Sequence, residues 1–341
     1  KEYPRAQPST IMNEERINKY LNSRYCLVTM AVVSVILSYL AFLFYGKDVL
    51  SCNGLFAARA ENWIEAPATA WMANVVLSFA VAVLLFNLNR VYAFIREFTL
   101  IHVSAFTFIT LSNPTVSATF SASNLHAALI LVCTTILFHS FQQKLQRGTI
   151  FLVGFLLSLC SVFDYAALFY ILVFFIGFMQ VQAMSFRGFL AMAVGVVLPY
   201  WIGYGFGWID FQQFTLPDLA ITWEKYRDTF DPVNAVRVII TAATGTILGF
   251  SNVFKIMATR LQLRSYNGFF NLLAVATLIF MVVDVANVNT YIVTLNCCVA
   301  IQIAHFFSIH KFTRRYMLFF SLLLLYLACT TADLLKPLLT Q

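Results

Sequence analysis

Long apolar runs alternate with short polar segments along the whole chain of 341 residues. The clearest run covers residues 148–184, where Asp164 is the only formal charge. As one helix it would be roughly 55 Å long at about 1.5 Å per residue, nearly twice the hydrocarbon thickness of a bilayer. The pattern therefore predicts two membrane spans, 149–163 and 166–184, that are joined by a turn at Asp164.

The same alternation predicts about eleven spans and an all-α, polytopic transmembrane helical bundle. The other predicted spans are 25–45, 70–88, 98–111, 125–141, 188–205, 235–254, 268–283, 290–309 and 316–330. Spans three, five and eleven are the shortest. Outside the transmembrane domain (25–330) we predict an N-terminal tail, residues 1–24, with an amphipathic helix, and a C-terminal tail, residues 331–341. Within that domain the two long loops are 46–69 and 206–234.

The charges are divided unequally between the two sets of loops. With the N-terminus in the cytoplasm, the inner segments hold 16 of the 22 Lys and Arg, and the outer segments hold 11 of the 15 Asp and Glu. Cytoplasmic loops are enriched in Lys and Arg. We therefore expect a cytoplasmic N-terminus, a periplasmic C-terminus and a location in the bacterial inner membrane.

The composition supports a protein whose main partner is the lipid bilayer. The chain is 60% hydrophobic and 11% charged, whereas a soluble domain carries about 25% charged residues. The net charge of +7 is spread over many short loops, so it indicates topology and no nucleic-acid partner. Six of the seven cysteines lie in apolar runs, and adjacent Cys297 and Cys298 would point about 100° apart on a helix. We expect no metal site and no cofactor.

Three ionisable residues at the ends of predicted spans are candidates for a function. A charge inside the membrane is costly, so Asp164, Asp284 and Arg237 could face a shared cavity on the outer side, with Arg237 paired to either aspartate. The alternative is that both aspartates are wetted helix ends and that Arg237 reaches the interface. On span ten, Gln302 and His305 share one face, which is typical of hydrogen bonds between helices.

The two long outer loops carry the remaining candidates. In loop 206–234, Trp223 and Tyr226 belong to an apolar stripe with helical spacing, which predicts an amphipathic helix on the membrane surface. This helix could be an interfacial anchor, or a lid or partner-docking element. In loop 46–69, Asp48 could be a general base or hold a divalent cation; the alternative is an ordinary solvated loop.

Two segments resemble a known but uncharacterised family. Residues 123–205, which include FLVGFLLSLCSVFDYAALFYILVFFIGF, and residues 292–325, which include IAHFFSIHKFTRRYMLFFSLLLL, resemble multi-pass inner-membrane proteins of Bacteroidota. The resemblance covers about a third of the chain and implies no biochemical role.

The order of apolar span, basic loop, Gly-containing span, polar turn and apolar span is also similar to the multi-spanning (GT-C) glycosyltransferases that use polyprenyl phosphate. That resemblance implies a polyprenyl-phosphate lipid as partner and an essential acid in the first outer loop, where Asp48 stands. Val49 and Leu50 follow it, whereas the family usually has a second acidic residue there.

These observations leave three hypotheses. The first is a non-catalytic subunit of a bacterial envelope or secretion assembly, whose partners are other membrane or envelope proteins. The second is a GT-C-like lipid-linked sugar transferase that acts on the periplasmic face, with Asp48 as base and loop 206–234 as lid. The third is a transporter, which the lack of paired Pro and Gly interruptions in the spans disfavours.

Overall fold

The computed structural model describes residues 16–44, 63–64, 66–95, 99–143, 146–209, 232–256, 260–309 and 315–339. This part of the chain is helical, and its helices are numbered here in chain order. They are α1 (Arg24–Phe44), α2 (Pro67–Tyr92), α3 (Ile101–Leu111), α4 (Pro114–Ser117), α5 (Ala122–His139), α6 (Arg147–Ser161), α7 (Ala166–Gln180), α8 (Phe186–Gly205), α9 (Pro232–Ile256), α10 (Leu261–Val283), α11 (Val288–Ile309) and α12 (Arg315–Leu339). A 3₁₀ turn, Val285–Asn287, links α10 to α11.

Eight of these helices are long and apolar enough to cross a membrane, and three further apolar helices are shorter: α3, α6 and α7. The chain is therefore a multi-pass membrane protein. Together these eleven helices fall in the eleven segments that the hydrophobic pattern predicts. Whether the three short helices cross fully, and which way the termini face, stay predictions.

Several helices differ in length from the predicted spans. Helix α2 extends beyond its span at both ends, and α10 begins at Leu261, seven residues before the predicted start of span nine. Helix α7 ends at Gln180, before the predicted end of span six, because the chain turns at Gln182, which adopts a left-handed φ of 59°. Helix α12 continues past the predicted end of span eleven at Thr330 and reaches Leu339. The added turns include Asp333, which is buried against the bundle and paired with a cation.

Helices α3 and α11 form the centre of the bundle. Every residue of α3 is buried, and so are 19 of the 22 residues of α11. Helix α3 packs against α1, α2 and α11, while α11 also contacts α5, α9 and α10. Their neighbours shield them, so polar side chains on these two helices meet protein groups and not lipid.

Helix α3 is too short to cross the membrane alone. Its 11 residues span roughly 16 Å, about half of the ~30 Å hydrocarbon layer. Buried chain flanks it at both ends: Phe94, Ile95 and Thr99 are buried before it, and most of residues 112–118, which include the four-residue helix α4, are buried after it. Irregular backbone at membrane depth is tolerated only inside protein or along a water-filled cavity, and here protein surrounds it.

The hairpin of α6 and α7 and the following helix α8 form a peripheral unit in which α6 packs closely on α8. Glycines allow this approach, because a Cβ at Gly195 would overlap the carbonyl oxygen of Phe151 and one at Gly154 would lie 2.8 Å from that of Met192. Small residues at such contacts are a common means of helix association in membranes.

Candidate functional site

Among the described residues, the buried Asp and Arg side chains lie at one end of the bundle: Asp164, Arg237, Asp284 and Asp333. This distal end holds residues 112–121, 162–165 and 284–287, and the charge pattern predicts that it faces away from the cytoplasm. The opposite end is called proximal.

The segment 112–121 enters the distal end as buried, mostly non-helical chain, and other helices satisfy its carbonyl groups. The Ser112 carbonyl accepts a hydrogen bond of 2.8 Å from the Thr330 hydroxyl of α12. The Val116 carbonyl accepts one of 2.6 Å from the Asn74 amide of α2. Helices that are far apart in the sequence therefore hold this segment in place.

Arg237 of α9 is buried and makes an ion pair with Asp333 of α12. Its Nη2 lies 2.7 Å from Asp333 Oδ2, both side chains are 2% exposed, and its Nη1 donates to Asn113 Oδ1 at 2.8 Å. The guanidinium thus joins α9, α12 and the turn that follows α3. Arg237 does not reach the interface. Its partners are Asp333 and Asn113, and not Asp164 or Asp284 as the sequence suggested.

Asp284 is buried between α10 and α11 and accepts three hydrogen bonds. Its Oδ1 accepts from the Tyr165 hydroxyl at 3.0 Å, and its Oδ2 accepts from the Asn287 amide and the Tyr291 hydroxyl, each at 2.9 Å. Both carboxylate oxygens of Asp284 thus have hydrogen-bond partners within the protein. Through these hydrogen bonds Asp284 connects the α6–α7 turn to α11.

Asp164 is also buried, and it lies in the turn just before α7. Its Oδ1 accepts a 3.1 Å hydrogen bond from the backbone nitrogen of Ala166, two residues on, as in an Asx turn. Since Tyr165 follows it directly and donates to Asp284, the structure brings the two aspartates to the same part of the distal end. Both are inside the protein, so the interpretation of wetted helix ends does not hold, and a shared cavity stays a prediction.

A second polar group lies at the proximal end. His102 of α3 and His305 of α11 are close enough to interact electrostatically, and His102 lies beside the Thr99 backbone. The Asn267 amide donates to the Phe94 carbonyl at 3.4 Å, and the Phe94 ring centre is 6.1 Å from that of His305. Within the described residues, Thr99 Oγ1, Asn267 Oδ1 and His305 Nε2 have no hydrogen-bond partner. Ordered water commonly satisfies such buried atoms.

The polar stripe predicted on span ten does join helices. Gln302 of α11 accepts a 2.9 Å hydrogen bond from Asn252 of α9 and donates one of 2.5 Å to Asn271 of α10. Asn296, on the same helix, donates to the Thr110 hydroxyl of α3 at 3.2 Å. Hydrogen bonds of this kind fix the positions of packed helices in membranes.

Three predicted site residues, Asp48, Trp223 and Tyr226, lie outside the described residues. The sequence analysis also did not predict Asp333 and Asn113 as partners of Arg237. Asp333 carried a signal of its own, since it is an isolated acidic residue at the end of an apolar run. Asn113 carried none. In the part of the chain that the structure describes, no group of three or more His, Cys, Asp or Glu could hold a metal ion.

The architecture defines a multi-pass helical membrane protein with a buried polar distal end. No family model, curated protein or solved structure matches this chain.

Proposed function

We propose that this protein is a non-catalytic membrane subunit of an envelope or secretion assembly in a bacterial inner membrane. One observation supports the proposal above all. The buried ionisable side chains of the distal end bind groups of the same chain: Arg237 contacts Asp333 and Asn113, and Asp284 is held by two tyrosines and an asparagine.

This use of charge suits a scaffold better than an active site. A catalytic acid or base must reach the proton that it transfers, directly or through one water. Asp284 instead accepts hydrogen bonds from the α6–α7 turn, from the adjoining 3₁₀ turn and from α11, and Arg237 is enclosed by protein. Such contacts fix helix positions, which is what a membrane subunit needs in order to present constant surfaces to its partners.

The test is to solubilise the native membrane in mild detergent and to separate the complexes by size. We expect the 38.6 kDa chain to run in a larger complex of fixed stoichiometry. The double variant Trp223→Ala/Tyr226→Ala should release it from the complex, while Asp48→Asn, its control in the other long outer loop, should not. A native chain that purifies alone and monodisperse would contradict the proposal.

The same Asp48→Asn variant tests the lipid-linked sugar transferase. If Asp48 is the base, this change removes function in cells although the protein still folds and inserts. The accumulation of a polyprenyl-phosphate sugar in that strain would then identify the unused substrate. Unchanged function in the variant excludes the transferase.

A transporter, the third hypothesis, is supported by one observation: α3 is a short central helix with buried chain at both ends, which after it contains only the four-residue helix α4. Discontinuous helices near the bilayer midplane form the substrate sites of many transporters. Alternating access predicts that Ser117→Cys and Thr99→Cys react with a membrane-impermeant thiol reagent from opposite sides of the membrane. In a closed scaffold neither position reacts, and an exposed loop cysteine serves as the positive control.

A further inference from the structure

The polar group of the proximal end lies where the start of α3 meets α10 and α11. Its members are Thr99, His102, Asn267 and His305, and each is at most 3% exposed. Phe94 connects them, because its carbonyl accepts a hydrogen bond from the Asn267 amide and its ring centre is 6.1 Å from that of His305. These four side chains are called the proximal site.

Every side chain of the proximal site keeps a polar atom without a hydrogen bond. Over the described residues, Thr99 Oγ1, Asn267 Oδ1 and His305 Nε2 have no partner, and neither does at least one ring nitrogen of His102. Nearly all buried polar atoms in native proteins are paired. Unpaired atoms from three segments of the chain at one place therefore indicate an occupant.

The chemistry of these atoms determines what the occupant must do. The Asn267 amide nitrogen already donates to the Phe94 carbonyl, so its Oδ1 needs a donor. A neutral imidazole has one donor and one acceptor nitrogen, and the Thr99 hydroxyl can act as either. An occupant that both donates and accepts hydrogen bonds satisfies all four side chains.

The charges around the site favour a neutral occupant. The electrostatic neighbour of His305 is His102, and His102 lies beside the Thr99 backbone, so among the described residues neither imidazole faces a carboxylate. A cation bound here would be buried at membrane depth without a counter-ion, which is costly. An anion would meet the lone pairs of Asn267 Oδ1.

We propose that the proximal site binds ordered water that bridges α3, α10 and α11. Water is neutral, both donates and accepts, and makes about three hydrogen bonds when it is buried. It would also explain how the start of α3 is held, because the direct contact between Asn267 and the Phe94 carbonyl is long for a hydrogen bond, at 3.4 Å. The proposal concerns binding and does not depend on the function proposed above.

The test is hydroxyl-radical footprinting of the full chain in nanodiscs of phosphatidylethanolamine and phosphatidylglycerol. An X-ray pulse makes radicals from bound water, and these oxidise the side chains beside it, which mass spectrometry locates. We expect oxidation of Phe94 and His305 although both are buried. Phe174 of α7, equally buried and packed on the Phe269 ring, is the dry reference and should stay unmodified. A pulse given in heavy-oxygen water should put that isotope into oxidised Phe94.

Asn267→Leu removes the acceptor on α10 and should lower the oxidation of Phe94 and His305 towards that of Phe174. The matched control, Asn296→Leu on α11, lies nine residues and about 13 Å from His305 and should leave their oxidation unchanged. Thermal unfolding shows whether each variant is folded, and the comparison of Phe94 with Phe174 in the native chain decides if Asn267→Leu is not.

Two results with the native chain would overturn the proposal. The first is a Phe94 as unmodified as Phe174. The second is one equivalent of a transition metal in the purified protein that His305→Leu removes, because a cation would then be the occupant. Full oxidation of Phe94 in folded Asn267→Leu would overturn it as well.

Discussion

Replacing Asp333 by leucine removes the anion that faces Arg237 and keeps a side chain of similar size on α12. The guanidinium then retains one described partner, Asn113, at 2.8 Å, and its Nε has no hydrogen-bond partner in the part of the chain that the structure describes. Arg237 cannot turn to solvent without leaving the bundle, because its side chain is 2% exposed. The change therefore leaves a buried cation without its counter-ion.

The expected cost follows from the burial of the pair. Removing one partner of a buried ion pair costs about 3–5 kcal/mol in soluble proteins. Arg237 lies near the distal end of its helix, so we expect the lower end of that range, about 3 kcal/mol for Asp333→Leu. At roughly 2 °C per kcal/mol this lowers the midpoint of unfolding by about 6 °C.

The double variant Arg237→Met/Asp333→Leu should recover most of this loss, because it removes both charges together. Asn113 Oδ1 keeps two other donors, the Thr115 backbone nitrogen at 3.3 Å and the Thr115 hydroxyl at 2.9 Å. No buried polar atom of Asn113 is then left without a partner. We expect the double variant to lie within about 1 kcal/mol of the native protein, as for other buried pairs replaced by apolar residues.

The assay is thermal unfolding in dodecyl maltoside, followed by tryptophan fluorescence. Thr331→Val, at an exposed position of the same helix, is the control for substitution on α12 and should shift the midpoint by less than 1 °C, as most surface changes do. An Asp333→Leu variant whose unfolding midpoint equals that of the native protein would refute the reasoning. So would a double variant as unstable as the single one, since the loss would then come from packing and not from the unpaired charge.

Three further predictions concern other parts of the bundle. Tyr291→Phe removes one donor to Asp284 and should cost about 1.5–3 kcal/mol of stability in the same unfolding assay. Gly195→Leu should separate α6 from α8, because its side chain would overlap the Phe151 carbonyl. Gly205→Leu is the control and should be neutral, because a Cβ there has no atom within 4 Å. The yield of disulfide cross-linking between α6 and α8 measures the separation. Reporter fusions at the two termini should be active on opposite sides of the membrane, as the charge pattern predicts, and activity in one compartment would exclude an odd number of crossings.

The hydrophobic pattern predicted the helices because its physical cause is local. A run of apolar residues must form a helix in lipid, whatever else the chain does, so the segments of all these helices except the four-residue α4 could be found one at a time. Helix lengths were predicted less accurately from the sequence. The last span was predicted to end at Thr330, yet the helix continues through Asp333, whose charge is paired with Arg237.

The contacts of the distal end could not be predicted, because they join residues far apart in the chain. Arg237 and Asn113 are 124 positions apart, and no periodicity in either segment connects them. Asp284 and Tyr165 are separated by 119 positions, although each was visible as a polar residue at the end of a span. A sequence pattern shows which polar residues enter the membrane, and only the packing of helices decides which of them meet.

The burial of α3 has a consequence for biogenesis. An 11-residue helix with polar flanking chain is a poor signal for membrane insertion. The Ser112 carbonyl beyond its end is satisfied by Thr330, 218 positions later, which at about 5–20 residues per second is a delay on the order of 10–40 s during synthesis. Throughout that interval the Ser112 carbonyl lacks its Thr330 partner at membrane depth, so insertion of this segment should depend on an insertase or chaperone that shelters it until α12 has been made.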